Sequence, residues 1–253
     1  KYVVAISNGA IQVNTIDGVA KTVSTPDGVG YLSSSNPYQE FRALTVADYT
    51  FIVNNSITTA KGTTTSPAKV FEAIYSIKQA VVNTKYSIIL NGITYSYTSA
   101  SSGDDSSDII NNLITAIGSV SNFTFTDLGS SIHIKNTAGN DFTIKATDGY
   151  GDQASKVIKD KAQKFTDLPN PAVNNMVVEI TNTADNNFDN YYVRFDSGNN
   201  DDEGLWIETV EPSSNISFDA STMPHQLVRN ADGTFTFQQA TYGNRIAGDD
   251  ESA

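Results

Sequence analysis

No apolar run in this chain is longer than a short strand, and a turn signal closes most of them. Over the first forty residues the runs are Tyr2 to Ile6, Ile11 to Val13 and Val19 to Val23, separated by Asn8-Gly9, Asp17-Gly18 and Pro26-Asp27-Gly28. Asx-Gly pairs supply the positive φ angles that tight hairpins require, so this punctuation predicts a meander of short strands. The composition fits that expectation. Hydrophobic residues make up 39% and charged residues 17%, and there are 12 Tyr and 12 Phe. Such a balance marks a β-rich, loop-rich protein, and 253 residues are enough for a real core. No apolar run approaches the ~20 residues of a membrane-spanning helix.

Farther along, Tyr49, Phe51 and Val53 alternate with Thr50 and Ile52. Both faces are largely apolar, which predicts a strand covered on both sides or lying inside an assembly. Residues 56–68 read as an exposed loop. Phe71, Ala73, Tyr75 and Ile77 then alternate with Glu72, Ser76 and Lys78, the period of a half-buried strand.

Residues 84–149 read as a small α+β module of order ββαβββ. Asn91-Gly92 joins Tyr86–Leu90 to Ile93–Tyr97 as a hairpin. Ile109, Ile110, Leu113, Ile114 and Ile117 recur at helical spacing, with Ser106 or Ser107 as the expected cap, Asp108 in the first turn and Gly118 at the end. Strands are expected near 123–126, 132–135 and 142–146. A second short helix is expected over 151–164, with Ala154, Val157, Ile158 and Ala162 as its apolar stripe, and a boundary near 165–172, around Pro169 and Pro171. Strands at 176–180, 191–196, 205–210 and 234–238 complete a sheet or propeller blade. The fold class is therefore mainly β, with antiparallel sheets and an inserted α+β module. The expected divisions are a β framework over 1–83, the module over 84–149, and a continuing framework over 150–253.

The residues offer little catalytic chemistry. With no cysteine there is no disulfide, no thiolate zinc site and no thiol nucleophile. The two histidines lie far apart in sequence. His133 reads as a surface or interface side chain on a strand's polar face, and His225 as a residue that holds a turn by hydrogen bonds. The runs Asp104-Asp105 with Asp108, Asp201-Asp202-Glu203 and Asp249-Asp250-Glu251 read as solvated loops. Asp185, Asn187, Asp189 and Asp196 follow an EF-hand count, but Asn190 stands where glycine belongs and the flanks are strand-like. Glu179, Glu208, Glu211 and Asp196 could be paired as glycosidase carboxylates, but 28 acids make such pairs easy to draw. No Gly-x-Ser-x-Gly elbow is present, and neither Gly28-Val29-Gly30 nor Gly149-Tyr150-Gly151 has the setting of a phosphate loop. Tyr95, Tyr97, Tyr191, Tyr192 and Trp206 read as core or interface residues rather than a sugar platform. No cofactor or metal is expected.

One string is specific. Thr222-Met223-Pro224-His225, with Leu227 and Arg229, follows Asp219-Ala220-Ser221 and leads through Asp232-Gly233 to Tyr242-Gly243-Asn244-Arg245. Upstream, in order, stand Arg42 to Asn54, Phe165-Thr166-Asp167-Leu168-Pro169, Asn190 to Phe195, and Leu205-Trp206-Ile207-Glu208-Thr209. From about residue 42 to 250 this order resembles the tail tubular protein B, or nozzle, family of short-tailed bacteriophages. The family chain is several times longer, so the sequence is expected to be the N-terminal part of a longer polypeptide.

The resemblance implies a structural virion protein of the phage tail, assembled in the host cytoplasm. It implies a homo-hexameric ring below the portal, contacting the tail adaptor (tail tubular protein A) and tail fibre proteins, with genomic DNA passing through the lumen unbound. It implies a propeller-like framework, a gate at subunit interfaces and no catalytic site. Its signature residues here are Arg42 and Asp48 as polar anchors, and Tyr49, Phe51, Trp206, Pro224, His225 and Arg229 as packing and turn determinants. The net charge of -12 argues against tight phosphate binding. It serves solubility, or an acidic channel wall that lets DNA slide. The rival readings are a virion-associated glycan hydrolase, dependent on a carboxylate such as Glu208, and a glycan-binding adhesin.

Overall fold

Asn8-Gly9 and Asp17-Gly18 fold as hairpins in the computed structural model, which describes residues 1–182, 190–198 and 203–240, whereas Asp27-Gly28 makes a turn that joins no two strands. Gly9 sits at φ +67 and Gly18 at φ +83, in the left-handed region that glycine enters without strain. Around them run β1 (Tyr2–Ser7), β2 (Ala10–Thr15) and β3 (Ala20–Lys21). Next come β4 (Val23–Ser24), a one-turn helix α1 (Pro37–Glu40), β5 (Phe41–Val46), β6 (Tyr49–Asn54), β7 (Glu72–Ile77), β8 (Lys85–Leu90) and β9 (Ile93–Thr98). After the helix α2 (Ser106–Ile117) follow β10 (Phe123–Asp127), β11 (Ser131–Asn136), β12 (Ile144–Asp148), β13 (Ser155–Ile158), β14 (Lys161–Ala162), β15 (Val177–Ile180), β16 (Tyr191–Asp196), β17 (Leu205–Thr209), β18 (His225–Arg229) and β19 (Phe235–Gln239).

The chain divides into two units, and the second interrupts the first in sequence. Unit 2 is Ser66–Ser214, and unit 1 is Lys1–Thr65 with the described residues after Ser214.

Unit 1 has two sheets, β1-β2-β3 and β4-β19-β18-β6-β5. Its core gathers Val13, Leu32, Ile52, Leu227 and Phe237, all nearly or fully buried. The buried Asn54 is satisfied on every side. Its Nδ2 donates to the carbonyls of Tyr31 (2.9 Å) and Ser33 (3.0 Å), while its Oδ1 accepts from Ser56 N (3.0 Å) and Oγ. Buried amides of this kind hold a loop in one conformation, because leaving them unpaired is costly. The pairings are antiparallel except β4 with β19 here, and β14 with β15 in unit 2.

Unit 2 has three sheets, β10-β11-β7-β13, β12-β8-β9 and β14-β15-β16-β17. The ββαβββ order from β8 to β12 is present. Helix α2 buries Ile109, Ile110, Leu113 and Ile117, each contributing roughly 1.5–3 kcal/mol relative to exposure. Its cap is Asp105, not Ser106 or Ser107. The Asp105 carboxylate accepts from Asp108 N (2.9 Å), and the Asp108 carboxylate accepts from Asp105 N (3.2 Å), a reciprocal capping box. Gly118 is the C-cap, as its position after Ile117 predicts.

The expected helix over 151–164 is absent; β13 and β14 stand there. Val157 and Ile158 are β-branched, and β7 offers β13 a ladder from Ser155↔Ile77 to Ile158↔Ile74, so tertiary pairing overrides the helical spacing. Strand β7 is not half-buried. It lies between β11 and β13, with Ile74 in one hydrophobic cluster and Ala73, Tyr75 and Ile77 in another.

Candidate functional site

The string around His225 builds a turn and then a strand. The Asp219 carboxylate accepts from Ser221 N (3.0 Å) and Oγ (2.6 Å), fixing a single 3-10 turn over Ala220–Thr222. Pro224 disfavours helical geometry for the residue before it, and Met223 is extended there at φ -87 and ψ 158. His225 opens β18. Its Nδ1 donates to the Met223 carbonyl (2.9 Å), and its ring stacks on Tyr31 with centroids 4.2 Å apart and on Phe237 at 5.3 Å. Burial pushes the imidazole pKa below its ordinary value. A neutral, stacked ring donating to a carbonyl is a packing element.

Arg42 and Asp48 anchor different things. Arg42 Nη1 donates to the carbonyls of Phe41 (2.7 Å) and Gln39 (3.0 Å), the second lying within α1. Asp48 stands in the β5–β6 turn beside Ala47, which has φ +51. Its carbonyl accepts from Arg229 N (2.9 Å), and its carboxylate lies 3.5 Å from the Arg229 guanidinium. The Tyr2 hydroxyl and then Asp48 raise the Arg229 pKa, and the guanidinium lies 5.7 Å from the centre of the Tyr2 ring. Both charges are well exposed, so solvent screens the pair.

The register β5–β6 places Arg42, Leu44 and Val46 on the same face as Val53, Phe51 and Tyr49. The opposite face carries Phe41, Ile52 and Asn54 into the core. The first face is left open: Leu44 is 66% exposed and Val46 56%, and Tyr49, Phe51 and Val53 are each more than a third exposed. The two-sided burial expected for Tyr49 to Asn54 is therefore absent within the subunit. The Tyr49 and Phe51 rings stack at 6.5 Å.

Trp206 belongs to unit 2. Its Nε1 donates to the Pro169 carbonyl (2.8 Å), and its ring meets the fully buried Phe195 edge-on at 5.2 Å. It ties β17 to the Phe165–Pro169 turn, two pieces of the motif series that lie about forty residues apart in the chain.

His133 is a correction. It is buried, not on a surface, and its Nε2 lies 2.7 Å from Glu72 Oε2. The partner is 61 residues away. The available signal is a histidine set between Ile132 and Ile134, and a glutamate that opens the run Ala73-Ile74-Tyr75. Four of the candidate acids are occupied. Asp104 accepts from Tyr97 Oη (2.8 Å) and Ala100 N (2.9 Å). Glu179 pairs with Lys161 (2.8 Å) and accepts from Asn190 (2.8 Å). Tyr192 Oη donates to Glu211 (3.3 Å), and burial with the nearby carboxylates pushes its pKa up to about 12. The register sets Glu179 and Glu208 on opposite faces of their sheet. Asp196 accepts from Arg194 (3.3 Å) and Gly198 N (3.0 Å). Among the described residues no cluster of three metal-ligating side chains occurs, and no helix is long and apolar enough to cross a membrane. Asp185, Asn187, Asp189, Asp201, Asp202 and Asp249 to Glu251 lie outside the described residues.

What the geometry offers is a strand framework with an open apolar face. The family model for the bacteriophage nozzle protein matches residues 1–253. The chain belongs to that family. It is also 28% identical over 265 residues to the tail tubular protein gp12 of Escherichia phage T7. The alignment covers 98% of this chain and 33% of the T7 protein, so the chain spans about a third of that relative. Nozzle-family membership makes it a structural component of a phage virion tail.

Proposed function

We propose that this chain forms part of the wall of a phage tail tube, as a repeated subunit around the channel through which the genome leaves the capsid. The observation that carries the reading is the nozzle-family match along the whole chain, supported by the tubular role in the T7 relative's name. In this reading the subunits form a homo-hexamer seated on the tail adaptor and contacting the tail fibres, and DNA passes without specific binding. The acidic charge of -12 suits that passage, because a net negative wall repels phosphates. The role is mechanical. Of the carboxylates that a hydrolase would draft, Glu179, Glu211 and Asp196 are engaged by Lys161, Asn190, Tyr192 and Arg194, and Glu208 lies on the sheet face opposite Glu179.

Electron microscopy of the complete polypeptide, alone and with its adaptor, tests the reading. Six-fold rings or cones stacking on the adaptor are expected. Dispersed monomers that ignore the adaptor would overturn it. Reducing-sugar release from host glycans that disappears in Glu208→Gln would instead establish a hydrolase.

A further inference from the structure

An edge strand exposes unpaired backbone groups, and solitary proteins blunt such edges with proline, lysine, bulges or short length. β5 has no proline, lysine or bulge over Phe41–Val46, its one charge, Arg42, is folded back onto the carbonyls of Gln39 and Phe41, and its ladder with β6 runs unbroken from Phe41↔Asn54 to Val46↔Tyr49. The same hairpin carries the open apolar face. Leu44, Val46, Tyr49, Phe51 and Val53 together expose roughly 400 Å², as large as the biggest patch of an ordinary monomer and about half of one partner's share of a typical interface.

A second strand in the chain has matching properties. β17 is the last strand of its sheet among the described residues. Leu205 is 71% exposed, and Ile207, two residues on, is also exposed on the same face. Among the described edge strands, only β5 (Leu44, Val46) and β17 (Leu205, Ile207) expose two large apolar side chains at this i, i+2 spacing. Laid side by side in either direction, the two strands bring these four side chains into direct cross-strand pairs.

Charge also complements. Among the described residues Arg42 has no carboxylate partner; its guanidinium meets only backbone carbonyls. β17 is flanked by Glu203 and Glu211 and contains Glu208, while Arg194 across the ladder is already paired with Asp196.

We propose that the β5 edge of one subunit pairs with the β17 edge of a second copy of this chain, which sets Leu205 and Ile207 beside Leu44 and Val46. The proposal rests on the tail-wall reading and names the contact that builds it. Because the two surfaces differ, the contact is head-to-tail and propagates from subunit to subunit until a ring closes. Arg42 then lies within reach of an acid at one end of β17.

The 253 residues contain no cysteine, so within this stretch an introduced thiol stands alone, and the unsubstituted protein reports any crosslink formed elsewhere. The complete polypeptide is prepared as Leu44→Cys, Leu205→Cys and Ile207→Cys, with unsubstituted protein as control, and oxidised singly and in mixtures. The expected result is a disulfide dimer when Leu44→Cys is mixed with one of the β17 variants, and none from any variant alone, since only facing strands bring Cα atoms within ~7 Å. Which β17 variant reacts reads out the strand direction. Efficient crosslinking of Leu44→Cys with itself would show two β5 edges meeting and overturn the proposal. Rings without mixed crosslinks would overturn it and leave the tail-wall reading standing. Absence of both rings and crosslinks would remove both. Leu44→Asp is a second test: assembly should fall at least tenfold with the unfolding midpoint unchanged. Unimpaired assembly of that variant would overturn the proposal.

Discussion

β7 in unit 2 is closed on both faces, whereas β6 in unit 1 is closed on one. β7 lies between β11 and β13, and its side chains enter two separate hydrophobic clusters. β6 lies between β5 and β18, sends Ile52 and Asn54 inward, and leaves Tyr49, Phe51 and Val53 to solvent. Yet β7 carries a carboxylate, Glu72, and β6 carries no charge at all. The number of apolar side chains in a strand does not decide its burial; the available cover does. β7 buries a polar group because His133 meets it. β6 keeps an apolar row wet because nothing in its own unit covers it. On the proposed contact between copies, that difference separates the residues that hold the fold from those left for assembly.

The largest effect that tests the contrast is a truncation in each strand. Ile74→Ala in β7 should destabilise by about 2–5 kcal/mol in chemical denaturation, since it removes a fully buried side chain from a packed cluster. Phe51→Ala in β6 should cost less, about 1–2 kcal/mol, because over a third of the residue is already in water. Equal losses would end the distinction.

Next in size is the Glu72–His133 pair. His133→Ala should cost about 2–3 kcal/mol by leaving Glu72 buried without its partner. The double variant Glu72→Leu/His133→Leu should recover part of that loss, as apolar replacement of both partners often does. A double variant as unstable as the sum of the singles would show that packing, not pairing, dominates there.

Trp206→Ala should lower the unfolding midpoint and impair assembly, through loss of the Phe195 contact and the Pro169 hydrogen bond. A variant that folds and assembles as the parent does would remove Trp206 from the structural set.

A smaller effect concerns pH. Burial holds His225 neutral in the folded state, with its pKa below the ordinary value. The unfolded chain therefore takes up the proton first as pH falls through about 6.5. Stability is full above that point and declines below it until the folded histidine also protonates. Glu40, Asp219 and Asp232 have lowered pKa values in the folded state, so their share is lost only as pH falls through the lower carboxylate range. The denaturation midpoint should drop between pH 7.5 and 5.5, and His225→Gln should flatten that drop. An unchanged slope in the variant would show that His225 does not titrate with folding. The smallest effect is expected from Arg229→Met, whose ion pair with Asp48 is exposed; the midpoint should not move measurably.

The legible parts of the fold were the local ones. Asn91-Gly92 and the Ile109–Ile117 spacing carry their structures within a dozen residues, and the hairpin and helix stand where expected. β13 was misread because Val157 and Ile158 fit a helical stripe equally well, and only β7, some eighty residues earlier, selects the strand. His133 and Glu72 were misread for the same reason of distance. The Thr222–Arg229 string carried the family resemblance but concealed a central strand, β18, which hydrogen-bonds both β6 and β19. The exposure of Tyr49 and Phe51 could not be read from alternation, because a pleated strand looks the same whether its second face meets a core or a partner.

Hydrogen exchange across β5 and β7, in assembled and dissociated full-length protein, tests the account most directly. The amides of Phe41–Val46 that point away from β6 should exchange quickly in the dissociated subunit and become strongly protected in the ring, while those of Glu72–Ile77 stay protected in both. Rings in which β5 exchanges as fast as in free subunits would contradict the claim that its open edge and apolar face build the tail wall.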